Sequence, residues 1–370
     1  MLDYSYDKSV QLTAIIFWGD LCKQSEDIVR KFNTHSLIAL IAIFSTTVAA
    51  EESTTTQQKS RQVQTVTDIL ERPGVLTPKG SFVLDSSLTY TQNSSNTVSV
   101  VGYTVLPSLI VGLIRASDID RTTLTFGLTG RYGITNRLEV EARIPWVYRN
   151  DSISERDING PSNSPTTKTI EGNDLGDIEA AFKYQFNMLE APYWIGSLRF
   201  KSTTGSSPYE VPIDSTNDFK ELPTGSGFPS IEPGVTMIMP LDPAVLFLNA
   251  SYIWNIKDDV SIQIPATDEA PSTQVNTIDL GDTISLGAGM GFAVNPRFSF
   301  SIGLNHKTIL KSKVNGGYPD DAKLLQLDTI SFGANYAVNR ETTINVGAAA
   351  GLTADAPDFQ LTVRIPYTLK

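Results

Sequence analysis

The feature that most constrains this chain is a two-residue alternation of apolar and polar side chains, which recurs from residue 80 almost to residue 370. One run shows it without a break: Leu138, Glu139, Val140, Glu141, Ala142, Arg143, Ile144. Successive side chains of a β-strand point to opposite faces, so the run predicts a strand with one apolar and one charged face. No convincing amphipathic helix interrupts the pattern. The sequence therefore predicts an all-β fold.

Twelve such runs follow one another along the chain: 82–90, 123–133, 137–149, 177–186, 193–203, 231–239, 244–255, 283–293, 297–309, 327–337, 341–351 and 358–367. Each has about ten residues, the length that a tilted strand needs to cross a bilayer. Short turns alternate with long polar stretches at 150–174, 204–228, 257–280 and 311–324. This regularity is typical of a transmembrane antiparallel up-and-down β-barrel with short periplasmic turns and long extracellular loops. A Greek-key sandwich does not require it.

An apolar segment, VSVVGYTVLPSLIVGLI (98–114), does not fit the strand count. A thirteenth strand would put the two ends of the barrel on opposite sides of the membrane. We therefore interpret the segment as part of the first extracellular connection. Three alternatives stay open for it: a strand extension, a re-entrant flap or a subunit contact.

The residues before the barrel have the layout of a secretory signal. Arg30 and Lys31 precede the apolar run SLIALIAIF and the small-residue run STTVAA. We predict a signal peptide over 29–50, cleaved between Ala50 and Glu51, with 1–28 as a mis-called extension. An uncleaved N-terminal arm is the alternative. A periplasmic linker or plug segment (51–79) and the barrel (80–370) would follow.

Composition and charge exclude several functions. The formal net charge of −11 is unfavourable for nucleic-acid binding, and the single cysteine allows no intrachain disulfide or thiolate metal site. After the predicted cleavage site the only histidine is His306, which shares the apolar parity of its strand and is predicted to point towards lipid. We expect no catalytic residue, no metal, no cofactor and no enzymatic activity.

The two strand faces predict two sets of residues. Aromatic residues cluster near strand ends, as expected for girdles at the two membrane interfaces: Tyr132, Trp146, Tyr148, Tyr184, Trp194, Tyr252, Trp254, Phe292, Phe298 and Tyr336. Charged residues of both signs occupy the opposite, lumen-facing parity: Asp85, Arg131, Glu139, Glu141, Arg143, Arg149, Asp177, Glu179, Lys183, Arg199, Lys201 and Arg364. Glycines share that parity, which predicts space for a narrow pore or a plug. Val63, Val66 and Leu70 could form one stripe of a plug helix.

Several strings resemble a known family. ERPGVLTPKG (71–80), VGYTVLPSLIVGLI (101–114), RTTLTFGLTGRYGITNRLEVEARIPWVYRNDS (121–152), LGDIEAAFKYQF (175–186), LRFKSTTGSSPYEV (198–211), ELPTGSGF (221–228) and DAPDFQLTVRIPY (355–367) resemble the outer-membrane barrel of bacterial functional-amyloid secretion systems. The shorter strings are also similar to barrels linked to phenol-degradation pathways. The resemblance to the amyloid family implies a homotrimer that exports unfolded subunits and is gated by an N-terminal helix after a periplasmic coiled coil. Only about thirty residues separate the predicted cleavage site from the barrel, too few for a substantial coiled coil, and the chain ends in Lys370 rather than an aromatic residue.

Three functions are consistent with these observations. The leading expectation is a Gram-negative outer-membrane channel that exports amyloid-like polypeptide cargo, with the lipid bilayer and the barrel-assembly machinery as partners. The first alternative is a passive outer-membrane channel for small, aromatic solutes. The second alternative is a secreted β-sandwich adhesion protein.

Overall fold

The computed structural model describes residues 75–95, 98–100, 114–155, 166–212, 219–264, 273–319 and 322–369. The predicted signal peptide, its cleavage site at Ala50 and Glu51, and the plug candidate Val63, Val66 and Leu70 lie outside these residues. Within them, no helix has the length and apolar character needed to span a membrane.

The described residues form seventeen strands, in chain order: β1 (Phe82–Ser95), β2 (Val98–Val100), β3 (Ile114–Gly133), β4 (Leu138–Glu155), β5 (Thr166–Leu175), β6 (Glu179–Gln185), β7 (Tyr193–Lys201), β8 (Ser230–Leu241), β9 (Ala244–Asn255), β10 (Asp258–Ile264), β11 (Thr273–Asp279), β12 (Thr283–Asn295), β13 (Phe298–Ile309), β14 (Lys313–Val314), β15 (Leu325–Ala337), β16 (Thr343–Gly351) and β17 (Phe359–Leu369).

Twelve of these strands close into a single antiparallel barrel. The ring runs β1, β3, β4, β6, β7, β8, β9, β12, β13, β15, β16, β17, and the pairing of β17 with β1 completes it. These are the twelve strands that the alternation predicts, so the predicted fold is confirmed. A β-sandwich is excluded, because all twelve strands belong to one closed ring.

Cross-strand register explains why the alternation produces two different faces. Between β13 and β15, Ile302 lies opposite Phe332 and Ser301 lies opposite Gly333. Ile302 and Phe332 are exposed on the outside of the ring, as are the apolar residues of the same parity on most other strands. A continuous apolar belt on the outside of a closed barrel suits contact with lipid tails. The polar parity faces the enclosed space, which we call the lumen.

The two ends of the barrel differ. One end, the short-turn end, carries the tight connections such as β3–β4 and β8–β9. The opposite, long-loop end carries additional strands: β5 extends the hairpin of β4, and β2 pairs with Ile114–Ala116 at the start of β3. The described part of the apolar 98–114 segment is therefore a strand extension; residues 101–113 lie outside the described residues.

A small three-stranded sheet, β10-β11-β14, stands at the long-loop end. Its core is formed by Val275, Ile278 and Leu280, which bury Phe228 of the β7–β8 loop completely. The sequence predicts long polar connections at 257–280 and 311–324, and the structure adds the short strands β10, β11 and β14 within them. These strands contain few apolar residues, and those residues pack against a loop that is distant in sequence.

Candidate functional site

The lumen wall is charged on one side of the barrel. Asp85 on β1 has an almost fully buried carboxylate that pairs with Arg131 on β3 at 3.3 Å and with Arg364 on β17. Two guanidinium groups on neighbouring strands thus share one carboxylate. The Asp85–Arg364 pair joins β1 to β17, the first and last strands of the barrel.

Ion pairs continue around this wall from strand to strand. Lys183 on β6 donates to Glu141 at 2.5 Å and to Glu139 at 3.3 Å, both on β4. Beyond them, Glu179 on β6 lies 3.7 Å from both Arg143 and Arg199. Charged side chains opposite each other on neighbouring strands stabilise a sheet in the way that i,i+4 pairs stabilise a helix. The predicted lumen residues are therefore brought together, and largely neutralise one another.

The opposite wall, β9 to β16, is mostly neutral and polar. Asn335 donates to Ser299 at 3.2 Å, and Asn345 donates to Asn335 at 2.5 Å. The sequence predicts that glycines leave space here, but Gly287 and Gly289 are covered: a Cβ on either would lie 2.2 Å from Asn249 Oδ1 or 2.3 Å from Phe247 Cε2. These glycines let two larger side chains lie flat against the wall rather than leave it open.

The β7–β8 loop folds against the charged wall at the long-loop end. Asp177 accepts hydrogen bonds from the Ser226 amide at 2.8 Å, the Ser226 hydroxyl at 2.7 Å and the Gly205 amide at 3.1 Å. Lys201 lies 3.5 Å from the same carboxylate and also donates to Ser226. Charge-assisted bonds of this kind are about twice as strong as neutral ones. The buried Asp177 carboxylate therefore binds both the beginning and the end of the loop.

Further contacts fix the two sides of this loop. Arg149 Nη1 donates to the Pro223 carbonyl at 2.7 Å, and the Leu222 amide donates to the Glu171 carbonyl at 3.0 Å. On the other side Tyr209 packs edge-on against Phe228, and burial raises the pKa of the Tyr209 phenol. The loop thus connects the lumen wall to the small outer sheet.

At the short-turn end, the chain before β1 lies against the inner wall formed by β3, β4 and β6. The Val75 amide donates to Gln185 Oε1 at 3.0 Å, and the Thr77 amide donates to Glu139 Oε2 at 2.8 Å. Gln185 and Glu139 are buried on the lumen side of β6 and β4. The described part of the predicted linker or plug segment is therefore attached to the inner wall.

Between these two ends lies a cavity of about 520 Å³. Its lining combines the charged wall with the neutral one: Glu179, Arg199, Lys201, Ser226, Glu232, Asn249, Ser251, Ser285, Asn305 and Lys307 are among its residues. Ser226 belongs to the loop held by Asp177, so the loop forms one side of the cavity.

The predicted girdle residues stand on the outside of the barrel. Seven of the ten are exposed there: Tyr132, Trp146, Tyr184, Trp194, Tyr252, Trp254 and Tyr336. Tyr148, Phe292 and Phe298 are half-buried, and Phe292 stacks on Phe300 with 5.0 Å between ring centroids. His306 contacts Asp328 at 2.6 Å and Thr308 at 2.9 Å on this outer face.

The sequence did not single out several residues that shape the cavity. Glu232 and Lys307 share the lumen parity of their strands, so the alternation signals them although the prediction omits them. Ser226 and Phe228 carry no such signal, because their positions depend on the folded loop. Within the described part of the chain, no group of three or more His, Cys, Asp or Glu residues is placed to hold a metal ion.

Comparison with known proteins now adds to this geometry. The sequence model of a family described as "Putative MetA-pathway of phenol degradation" matches residues 121–369, which is more than half of the chain. The chain belongs to this family. The predicted likeness to barrels linked to phenol-degradation pathways is confirmed. The match runs from within β3 to the end of β17, so it covers most of the barrel wall.

One solved structure with a TM-score above 0.5 shares the fold. An outer-membrane channel from Pseudomonas putida F1 matches with a TM-score of 0.54 at 14% identity, over 79% of this chain and 97% of the channel. The translocator domain of the autotransporter NalP from Neisseria meningitidis gives 0.45 at 9% identity, over 82% and 91%. The CymD monoaromatic hydrocarbon channel gives 0.41 at 10% identity, over 79% and 88%. We base the fold comparison on the first of these.

The expectation of amyloid export is wrong, because the matching family is one of phenol degradation rather than amyloid secretion. Amyloid-like cargo and protein secretion are withdrawn with it. The strings that suggested export have structural roles: LGDIEAAFKYQF supplies Asp177 and β6, and ELPTGSGF supplies the loop segment bound to Asp177. The mixed charges of the lumen face are joined in ion pairs.

The predicted location is confirmed. A closed barrel with an apolar outer belt and the fold of an outer-membrane channel places the chain in the outer membrane of a Gram-negative bacterium, in contact with the lipid bilayer.

Proposed function

We propose that the chain is a passive outer-membrane channel for small solutes of about one aromatic ring. The observation that carries the proposal is the cavity of about 520 Å³ inside a closed barrel, with the folded β7–β8 loop on one side. Pockets that hold small molecules have volumes of about 300–1,000 Å³. Membership of a phenol-degradation family supports an aromatic solute.

The arrangement of the wall supports passage rather than catalysis. Carboxylates and cations are held in pairs along the charged wall, and the facing wall offers hydroxyl and amide groups. Such a wall can exchange weak hydrogen bonds with a passing solute. We propose that the charged set lines the lumen and that the aromatic residues form the two girdles. We also propose that the protein has no enzymatic activity. Folding by the barrel-assembly machinery and a homotrimeric state remain predictions from the sequence.

Planar lipid bilayers provide the test. Purified protein should insert as discrete conductance steps, and catechol added to one side should interrupt the current as it occupies the cavity. 1,2-Cyclohexanediol, which carries two neighbouring hydroxyls on a saturated six-membered ring, serves as the matched solute and should interrupt it less. A barrel that inserts and conducts no ions at any voltage would contradict the proposal.

A further inference from the structure

The cavity has a charge imbalance that its lining residues define. Among the described residues, Arg199, Lys201 and Lys307 provide three cations against the two carboxylates of Glu179 and Glu232. His306 also contributes to the lining, but its ring nitrogens contact Asp328 and Thr308 on the outer face. These five side chains sum to one positive charge, and Asp177, just outside the lining, pairs with Lys201.

Two of the three cations are not saturated by their partners. Arg199 Nη1 lies 3.7 Å from Glu179 and 3.8 Å from Glu232, both too long for hydrogen bonds, and 43% of its side chain is exposed. Lys307 is exposed on the lumen side of β13 and has no ion pair or hydrogen bond among the described residues. Lys201, in contrast, is occupied by Asp177 and Ser226.

The two unsaturated cations belong to different walls. Arg199 is on β7 of the charged wall. Lys307 is on β13 of the neutral wall, four strands further round the ring. Neutral donors stand between them, namely Asn249, Asn305 and Ser285, whose hydroxyl is buried without a hydrogen-bond partner. A planar guanidinium matches a carboxylate or sulfonate and also stacks on aromatic rings.

We propose that this cavity is a selectivity site for small aromatic anions, with Arg199 and Lys307 as the residues that determine the preference. The inference rests on the proposed channel function and adds the charge of the solute. Cations with free hydrogen-bonding capacity inside a low-dielectric cleft attract anions and raise their local concentration there. An aromatic carboxylate would be preferred to a neutral ring or an aromatic cation of the same size.

Reversal potentials across planar bilayers test the preference with permanently charged probes. The full-length protein is measured in gradients of sodium benzenesulfonate and of benzyltrimethylammonium chloride. We expect selectivity for benzenesulfonate over sodium, and for chloride over benzyltrimethylammonium. The double variant Arg199→Gln, Lys307→Gln should lower the anion-to-cation permeability ratio by about tenfold, and Glu232→Gln should raise it.

The control is Arg297→Gln, which removes an exposed cation from the β12–β13 turn, away from the cavity. Heat-modifiable gel mobility shows that each variant forms a barrel. Conductance without anion preference, or an unchanged ratio in the double variant, would overturn the selectivity site while leaving the channel intact. Absence of any conductance in the wild type would instead overturn the proposed function.

Discussion

At the scale of single residues, the structure turns a list of lumen charges into specific pairs. The alternation of the sequence predicts on which face Asp85, Glu141 and Lys183 lie. It does not predict their partners, because pairing depends on the register between strands such as β1 and β17, which are 279 residues apart in the Asp85–Arg364 contact. The face to which a side chain points is determined within its own strand. Its partner depends on how the strands pair in the closed ring.

Replacing Asp85 by alanine should destabilise the barrel. The substitution leaves Arg131 and Arg364 facing each other with no carboxylate between them. Breaking a buried pair costs about 3–5 kcal/mol, and we expect the low end, about 3 kcal/mol, because both arginines are partly exposed. Urea unfolding in detergent measures it, and Glu190→Ala, at an exposed residue of the β6–β7 turn, is the control. Equal stability of the two variants would show that the pairing contributes nothing.

Neighbouring substitutions on β13 test which face meets lipid. Leu304 is exposed on the outside near the middle of the strand, while Asn305 lines the cavity. Leu304→Lys should cost about 2–4 kcal/mol of folding free energy in a bilayer, since a cation then lies against lipid tails. Asn305→Lys should assemble normally, as judged by heat-modifiable mobility. The reverse outcome would mean that the two faces have been assigned the wrong way round.

At the scale of elements, the barrel strands could be predicted and the long-loop end could not. Twelve runs of two-residue alternation predict the strands of the barrel wall, because each strand must present one apolar and one polar face. The β7–β8 loop carries no period. Its position comes from Arg149 on β4, from Asp177 in the β5–β6 connection, and from the outer sheet, against which the loop's own Phe228 is buried. Such contacts between elements distant in sequence leave no local pattern.

Asp177→Ala should release this loop from the wall. The substitution removes three hydrogen bonds to a carboxylate, each contributing about 1.5–3 kcal/mol. We expect a larger single-channel conductance and faster proteolysis within residues 202–229 of protein in intact vesicles. Asp174→Ala, at an exposed carboxylate three positions away that contacts only the Leu175 amide, should change neither. A conductance equal to that of the wild type would show that the loop does not limit the pore.

At the scale of the whole molecule, fold and function were predictable to different degrees. Strand number, antiparallel order and membrane location follow from alternation and loop lengths, because closing a ring satisfies every strand edge. The transported solute does not follow from them. Family resemblance suggested an unfolded polypeptide, and the lumen charges of Glu139, Glu141 and Lys183 are used within the wall. The size of the cavity and the weakly bonded cations Arg199 and Lys307 become visible only in the assembled barrel.

The proposed function requires that solutes about the size of one six-membered ring cross the membrane through this lumen. Swelling of proteoliposomes in isotonic sugar solutions measures that passage most directly. For the wild type we predict rapid swelling in arabinose and little swelling in raffinose. In Asp177→Ala, where the loop no longer narrows the cavity, swelling in raffinose should increase. Wild-type protein that shows intact barrel mobility on gels yet produces no swelling in arabinose would contradict the claim.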